Sequence, residues 1–227
     1  MRIDHVIVGA RRLAEARELL WSAYGLGITD GTSNEDGTDS WLVPFDCPDV
    51  QYLELIVATD EPVLRSTEYG RSFLDRTAAG PTFVAWAVAV DDIDGAAERV
   101  GRLGADPDPQ HGESVRADGE RMPWSEAAFL AAWATPSRPF FLRYGNWPAR
   151  RARVPRDLAA AGHRCTPRAI RRVHVSTARH DLTDWLGGSP GFVAIHASDR
   201  EGIDAVTLDT DGGEVELRLP RHTAAVA

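Results

Sequence analysis

The chain contains no lysine; all 25 of its basic residues other than histidine are arginine. With its abundant Ala, Gly, Asp and Val, this points to a GC-rich, bacterial-type genome and carries no functional information. Cysteine is scarce as well. Cys47 and Cys165 stand far apart and no CxxC pair exists, which excludes a disulfide framework and a structural zinc site. Two reduced thiols in a cytoplasmic protein are the expectation. Long apolar runs are missing: the longest, such as 83–90, fall far short of a bilayer span. The N-terminus, MRIDHVIVGARRL, lacks an apolar stretch followed by a small-residue cleavage site. No membrane partner is expected.

Net positive charge is absent too. The formal net charge is −9, whereas nucleic-acid binders concentrate basic charge on one surface. The one basic cluster runs from Arg150 to Arg156, with Arg164, Arg168, Arg171 and Arg172 beyond it. It contains prolines, lies between apolar segments and has no aromatic platforms for bases, so it reads as a linker over 149–168 and not as a nucleic-acid site. No GxGxxG loop, P-loop, GxSxG or HExxH motif occurs.

What is present suits a globular fold. The 227 residues are 43% hydrophobic and 26% charged, ordinary proportions that allow a substantial core. Residues 2–8 alternate as a strand, and Leu13, Ala16, Leu19, Leu20 and Tyr24 form a helical stripe stopped by Gly25. Residues 41–44 and 51–58 (QYLELIVA) read as strands. The order strand, helix, strands then recurs. TFVAWAVAV at 82–90 is a strand, DIDGAAERVGRLG at 92–104 a helix, and PFFLRYG at 139–145 a closing strand. A shorter third round begins with RRVHVST at 171–177 and ends in strands joined by an Asp211-Gly212-Gly213 turn.

The rounds align. The segment from His5 to Leu13 matches that from His174 to Leu182 without gaps, and the segment 52–55 matches 214–217. Rounds one and three therefore each hold a His and Glu pair: His5 with Glu54, and His174 with Glu216. The second round has Ala85 and Arg143 at the aligned positions. His5 shares its strand face with Ile3 and Ile7, and Glu54 with Tyr52 and Ile56. A carboxylate on a face that otherwise reads as buried has to be paired, ligated or protonated, which singles out Glu54.

IDHVIV, a helix and YLELI, then AWAVAVDDIDGAAERVGRLGADP, VRADGERMPW and PFFLRYG, resemble the glyoxalase-like domain of the vicinal-oxygen-chelate (glyoxalase/bleomycin resistance/dioxygenase) superfamily. The resemblance covers roughly residues 2–180. It implies an α+β fold of repeated βαβββ modules with curved mixed or antiparallel sheets: module one over 1–60, module two over 81–148, and a third shorter module over 169–221 packed on the same domain. It implies a small-molecule ligand, a lyase, isomerase or dioxygenase activity or else metal-free binding, and a homodimer as a further expected partner. A divalent metal (Zn, Mn, Fe, Co or Ni) held by His5 and Glu54 also follows from the resemblance, with Glu54 doubling as a base.

Two completions of the site stay open at this level. If module three pairs with module one, His174 and Glu216 complete the ligand set. If module two does, Arg143 faces Glu54 and anchors an anionic ligand group. Trp41, Trp86 and Tyr52 are candidates for the walls of the pocket.

Overall fold

The computed structural model describes residues 1–115, 119 and 121–220. Module one comprises β1 (Arg2–Ala10), α1 (Leu13–Tyr24), β2 (Thr29–Ser33), β3 (Thr38–Pro44) and β4 (Tyr52–Ala58). Two helices follow, α2 (Glu61–Ser66) and α3 (Glu68–Arg76). Module two comprises β5 (Thr82–Ala89), α4 (Ile93–Arg102), β6 (Gln110–Val115), β7 (Arg121–Ala127), α5 (Phe129–Ala134) and β8 (Phe140–Tyr144). Next come α6 (Trp147–Ala161), β9 (Pro167–Thr177), α7 (Leu182–Leu186), β10 (Val193–Ala197), β11 (Gly202–Thr210) and β12 (Gly213–Leu217).

Modules one and two share one eight-stranded sheet in the order β2-β3-β4-β1-β5-β8-β7-β6. Within each module the first strand pairs parallel with the last, β1 with β4 and β5 with β8, and the modules join through antiparallel β1 and β5. Period-two alternation gives this sheet two different faces. Val6, Val8, Leu53, Leu55, Trp86, Val88 and Phe141 point to the outer face and meet α1, α4 and the second sheet in one core. Ile7, Ile56, Ala85, Ala87, Phe140 and Leu142 point to the inner, concave face. There Leu64 of α2, Phe73 and Leu74 of α3, and Trp133 of α5 fill one end of the hollow.

The third unit keeps the element order βαβββ but pairs its strands differently. Its sheet runs β10-β9-β11-β12, with β9 parallel to β10 and antiparallel to β11. Its apolar face, with Val173, Val175, Val206 and Leu208, packs against the outer side of the large sheet.

The segment 149–168, expected to be a linker, is mostly the helix α6. The helix is bounded by signals that its arginines and Pro155 had masked. Asn146 caps the N-terminus by accepting from the Ala149 amide, a proline stands in the first turn, and Gly162 closes the C-terminus in the left-handed region. α6 packs on β2 and β3. The helices α2 and α3 had no counterpart in the sequence reading; Asp60 and Thr67 cap them through the Val63 and Gly70 amides.

Candidate functional site

Strand register puts the site residues on one face. In the parallel β1–β4 pair His5 lies beside Tyr52, and Ile7 beside Glu54, so His5, Tyr52 and Glu54 all point into the hollow. His5 is 3% exposed, stacked on the Tyr52 ring with centroids 4.7 Å apart, and edge-on to Phe140 at 5.6 Å. Its Nε2 lies 3.4 Å from Glu54 Oε2 and has no hydrogen-bond partner among the described residues.

The other imidazole nitrogen is held by a residue that the sequence reading passed over. Adjacent strand residues normally face opposite ways, yet Asp4 and His5 meet, with Oδ1 2.8 Å from Nδ1. The β1–β5 register explains this. Ile3 pairs with Val88 and His5 with Ala87, so Asp4 is the extra residue of a β-bulge, a feature that re-aims side chains. Asp4 is fully buried. Arg150 of α6 donates to its Oδ2 at 3.0 Å, and Tyr144 donates to its Oδ1 at 3.4 Å. The Tyr52 hydroxyl lies 3.1 Å from that of Tyr144; because Tyr144 donates to Asp4, Tyr52 donates to Tyr144. The Arg150 guanidinium sits 3.5 Å above the Tyr144 ring and 5.0 Å from that of Trp147. Burial alone would raise the Asp4 carboxyl, but the Arg150 charge and the His5 hydrogen bond outweigh it and hold the group down at about 2. Asp4 is therefore an acceptor, and the proton between the two side chains belongs to His5 Nδ1.

Glu54 lines a cavity of about 790 Å³ together with Tyr52, Tyr144 and Arg150. Residues of both sheet edges, Thr32 of β2 and Ser114 of β6, border the same space, and α6 supplies a further wall through Arg153 and Val154. A second carboxylate, Glu126 of β7, pairs in register with Leu142 of β8 and so shares the inner face. Burial, opposed by His5 and reinforced by Glu54 and Asp108, pushes its carboxyl up to about 7. Nothing short of strand register marks Glu126 in the sequence. Burial, with Tyr144, Asp4 and Glu54 nearby, also raises the Tyr52 phenol well above its ordinary value.

The remaining candidates lie elsewhere. Module one pairs with module two, so His174 and Glu216 do not complete the His5 and Glu54 pair. They meet each other in the second sheet, 3.8 Å apart, where His174 also contacts Thr207 Oγ1 at 2.8 Å and stacks on His196. Arg143 pairs in register with Ser125, between the inward residues Leu142 and Tyr144. It is exposed on the outer face and does not face Glu54. Trp86 is fully buried on that outer face and donates to Ser137 O at 3.3 Å. Trp41, in register with Leu55, is also on the outer side, beneath Arg17. Trp124 lines the cavity instead.

Register also identifies the residue of module two that corresponds to Glu54. Glu54 pairs with Ile7, two residues beyond His5, and Phe140 pairs with Ala87, two residues beyond Ala85. Phe140, not Arg143, is thus the counterpart. At the His5 and Glu54 positions of module one and their counterparts in module two, this chain offers an imidazole, a carboxylate, a methyl group and a phenyl ring. Among the described residues no group of three or more His, Cys, Asp or Glu side chains is arranged to hold a metal ion. A divalent metal held by a four-ligand set does not fit these residues.

Among the described residues no helix is long and apolar enough to cross a membrane. No curated protein matches the chain. Similar solved structures include a hypothetical protein from Staphylococcus aureus, 13% identical with a TM-score of 0.59, over 91% of this chain and 81% of that one. Methylmalonyl-CoA epimerase from Mycobacterium tuberculosis is 19% identical with a TM-score of 0.39, over 63% of this chain and 86% of that one. A variant of the Streptomyces coelicolor methylmalonyl-CoA epimerase, in complex with 2-nitronate-propionyl-CoA, is 19% identical with a TM-score of 0.43, over 63% and 96%. A family model described as a glyoxalase-like domain matches residues 3–188. With that match across two joined βαβββ modules, the chain belongs to the glyoxalase-like domain family of the vicinal-oxygen-chelate superfamily.

Proposed function

We propose that this protein is a glyoxalase-like enzyme of the lyase or isomerase type that moves a proton on a small oxygenated substrate, with Glu54 as the base. The observation that carries the reading is the position of Glu54. It is a carboxylate on the wall of a cavity of about 790 Å³, backed at 3.4 Å by a buried imidazole nitrogen with no hydrogen-bond partner among the described residues. Glu126, held near neutrality by burial, supplies an acid on the same face. A carboxyl group kept protonated by burial, beside a second carboxyl group on the same cavity face, is a recurrent basis of acid–base catalysis. Substrate binds against Tyr52, Met122 and Trp124, which give the cavity its apolar surface.

The test uses the full chain in D2O with a panel of α-hydroxy ketones, 2-oxo acids and acyl thioesters, following exchange of the hydrogen next to the carbonyl by NMR. The expected result is exchange with at least one class, reduced at least ~100-fold in Glu54→Gln. Binding of panel members without exchange would instead make the protein a sequestering one.

A further inference from the structure

We propose that Trp124 determines substrate specificity: its indole, laid flat on the β6 backbone at Gly112, is a platform that selects a substrate carrying an aryl or other planar unsaturated group. The inference rests on the preceding reading for the reacting end of that substrate, and it adds the chemical class of the other end.

Gly112 of β6 pairs in register with Trp124 of β7, which pairs in turn with Tyr144 of β8. Directly opposed residues of antiparallel strands share a face, so all three belong to the inner face. A glycine inside a strand weakens it and often marks a close approach. Here the approaching group is the indole. A Cβ placed on Gly112 would stand 2.5 Å from Trp124 Cζ2, 2.9 Å from Cε2 and 3.0 Å from Cη2. Cε2 and Cη2 flank Cζ2 in the ring. A point beyond the ring edge would find them much further away than Cζ2, so the Cβ position lies over the ring face. The indole therefore rests face-on against β6, in space that a side chain at position 112 would take.

An aromatic ring shielding a strand glycine is a known packing device, and it accounts for one face of the indole. The other face is turned to the hollow, since Trp124 is half-buried and borders the cavity of about 790 Å³. Its aromatic neighbours on that wall are already engaged: Tyr52 stacks on His5, and Tyr144 lies under the Arg150 guanidinium. Among the described residues no ring or guanidinium covers Trp124. Met122, two residues along the same strand face, extends the apolar surface. The opposite end of the sheet lines the cavity with polar groups, Thr32, Ser40 and Asn34, and the Asn34 amide donates to the Thr38 and Ser40 hydroxyls at 3.0 Å. A carbonyl compound with an aryl substituent matches both ends. Its oxygens meet the hydroxyl side, and its ring takes the offset-stacked position on the indole. With β6 behind it the indole cannot retreat, so the platform is formed before the ligand arrives.

Matched probes test the platform by titration calorimetry on the full chain. Each pair differs only in carrying a phenyl or a cyclohexyl ring: phenylpyruvate with cyclohexylpyruvate, phenacyl alcohol with cyclohexyl hydroxymethyl ketone, and the phenylacetyl with the cyclohexylacetyl thioester of N-acetylcysteamine. The cyclohexyl ring has at least as much apolar surface, so burial alone gives the aryl member no advantage. The aryl member of at least one pair is expected to bind about threefold to tenfold more tightly. Trp124→Leu, which keeps an apolar side chain, is expected to bring the ratio to about one. Gly112→Ala, which forces the indole off β6, is expected to lower the ratio as well. Equal affinities within every pair, no binding of any aryl member, or an aryl preference retained in either variant overturns the proposal. Should the variants not fold, the wild-type ratio decides. Aryl preference without hydrogen exchange removes Glu54 as the base and keeps the platform; exchange that is indifferent to the ring removes the platform and keeps Glu54.

Discussion

Arg150 and Asp4 are 146 positions apart in the chain, and their side chains meet at 3.0 Å with both residues buried. Through this contact α6, which walls the cavity, is fastened to β1, which carries His5. A buried ion pair contributes little over a well-packed apolar pair, but leaving one partner alone is severe.

Removal of one member is therefore expected to cost about 3–5 kcal/mol, in Arg150→Met as in Asp4→Leu. The double variant should be more stable than the sum of the two losses. Urea denaturation of all four proteins in a double-mutant cycle measures the coupling. Additive losses would show that the two side chains do not depend on each other.

The same carboxylate predicts an acid limb in the stability curve. Asp4 is depressed to about 2 from 3.8. A carboxyl lowered on folding stabilises the native state above its unfolded value, and that contribution fades as pH falls through the folded one. A loss of about 2 kcal/mol is expected between pH 4 and pH 2. Thermal unfolding across that range, compared with Asp4→Asn, isolates the contribution. Parallel curves would remove Asp4 as its source.

Glu126 predicts the opposite slope. Its carboxyl is raised from 4.5 to about 7, so the native state favours the protonated form. That stabilisation is complete below pH 4.5 and is lost as pH rises through 7. The native state should lose about 3 kcal/mol by pH 8 from this group alone. Glu126→Gln, which stays neutral, should flatten the limb and unfold at a higher temperature than wild type at pH 8. An unchanged alkaline limb would contradict it.

Arg143 gives a negative control. It is exposed on the outer face of the large sheet, in register with Ser125. Arg143→Ala is expected to change stability by no more than about 0.5 kcal/mol and to leave exchange and binding in the panel unaltered. A loss of ligand binding in this variant would mean that the cavity is not the one lined by Glu54.

Much of the large sheet could be read from residue order, because the alternation in IDHVIV and YLELIV puts His5 and Glu54 on faces that must match once β1 and β4 pair. Arg143 was misplaced for a related reason. Aligning YLEL with FLRY instead of counting strand register shifted module two by three residues, and an odd shift turns every side chain to the other face. Asp4 was hidden because strict alternation sends it away from His5, and bulges leave little mark in composition. Arg150 was hidden because arginine and proline dominate its segment, although Asn146, a first-turn proline and Gly162 frame an ordinary helix. Glu126 required knowing that β7 lies beside β8.

The bulge at Asp4 has a bearing on how such a centre arises. Ile3 on one side of it is still in the core, and His5 on the other still points into the hollow. The one extra residue seats an acid against the imidazole while the strand keeps its pairing with β5 on both sides. A buried carboxylate is accommodated here by a single position out of step, and the apolar alternation resumes beyond it.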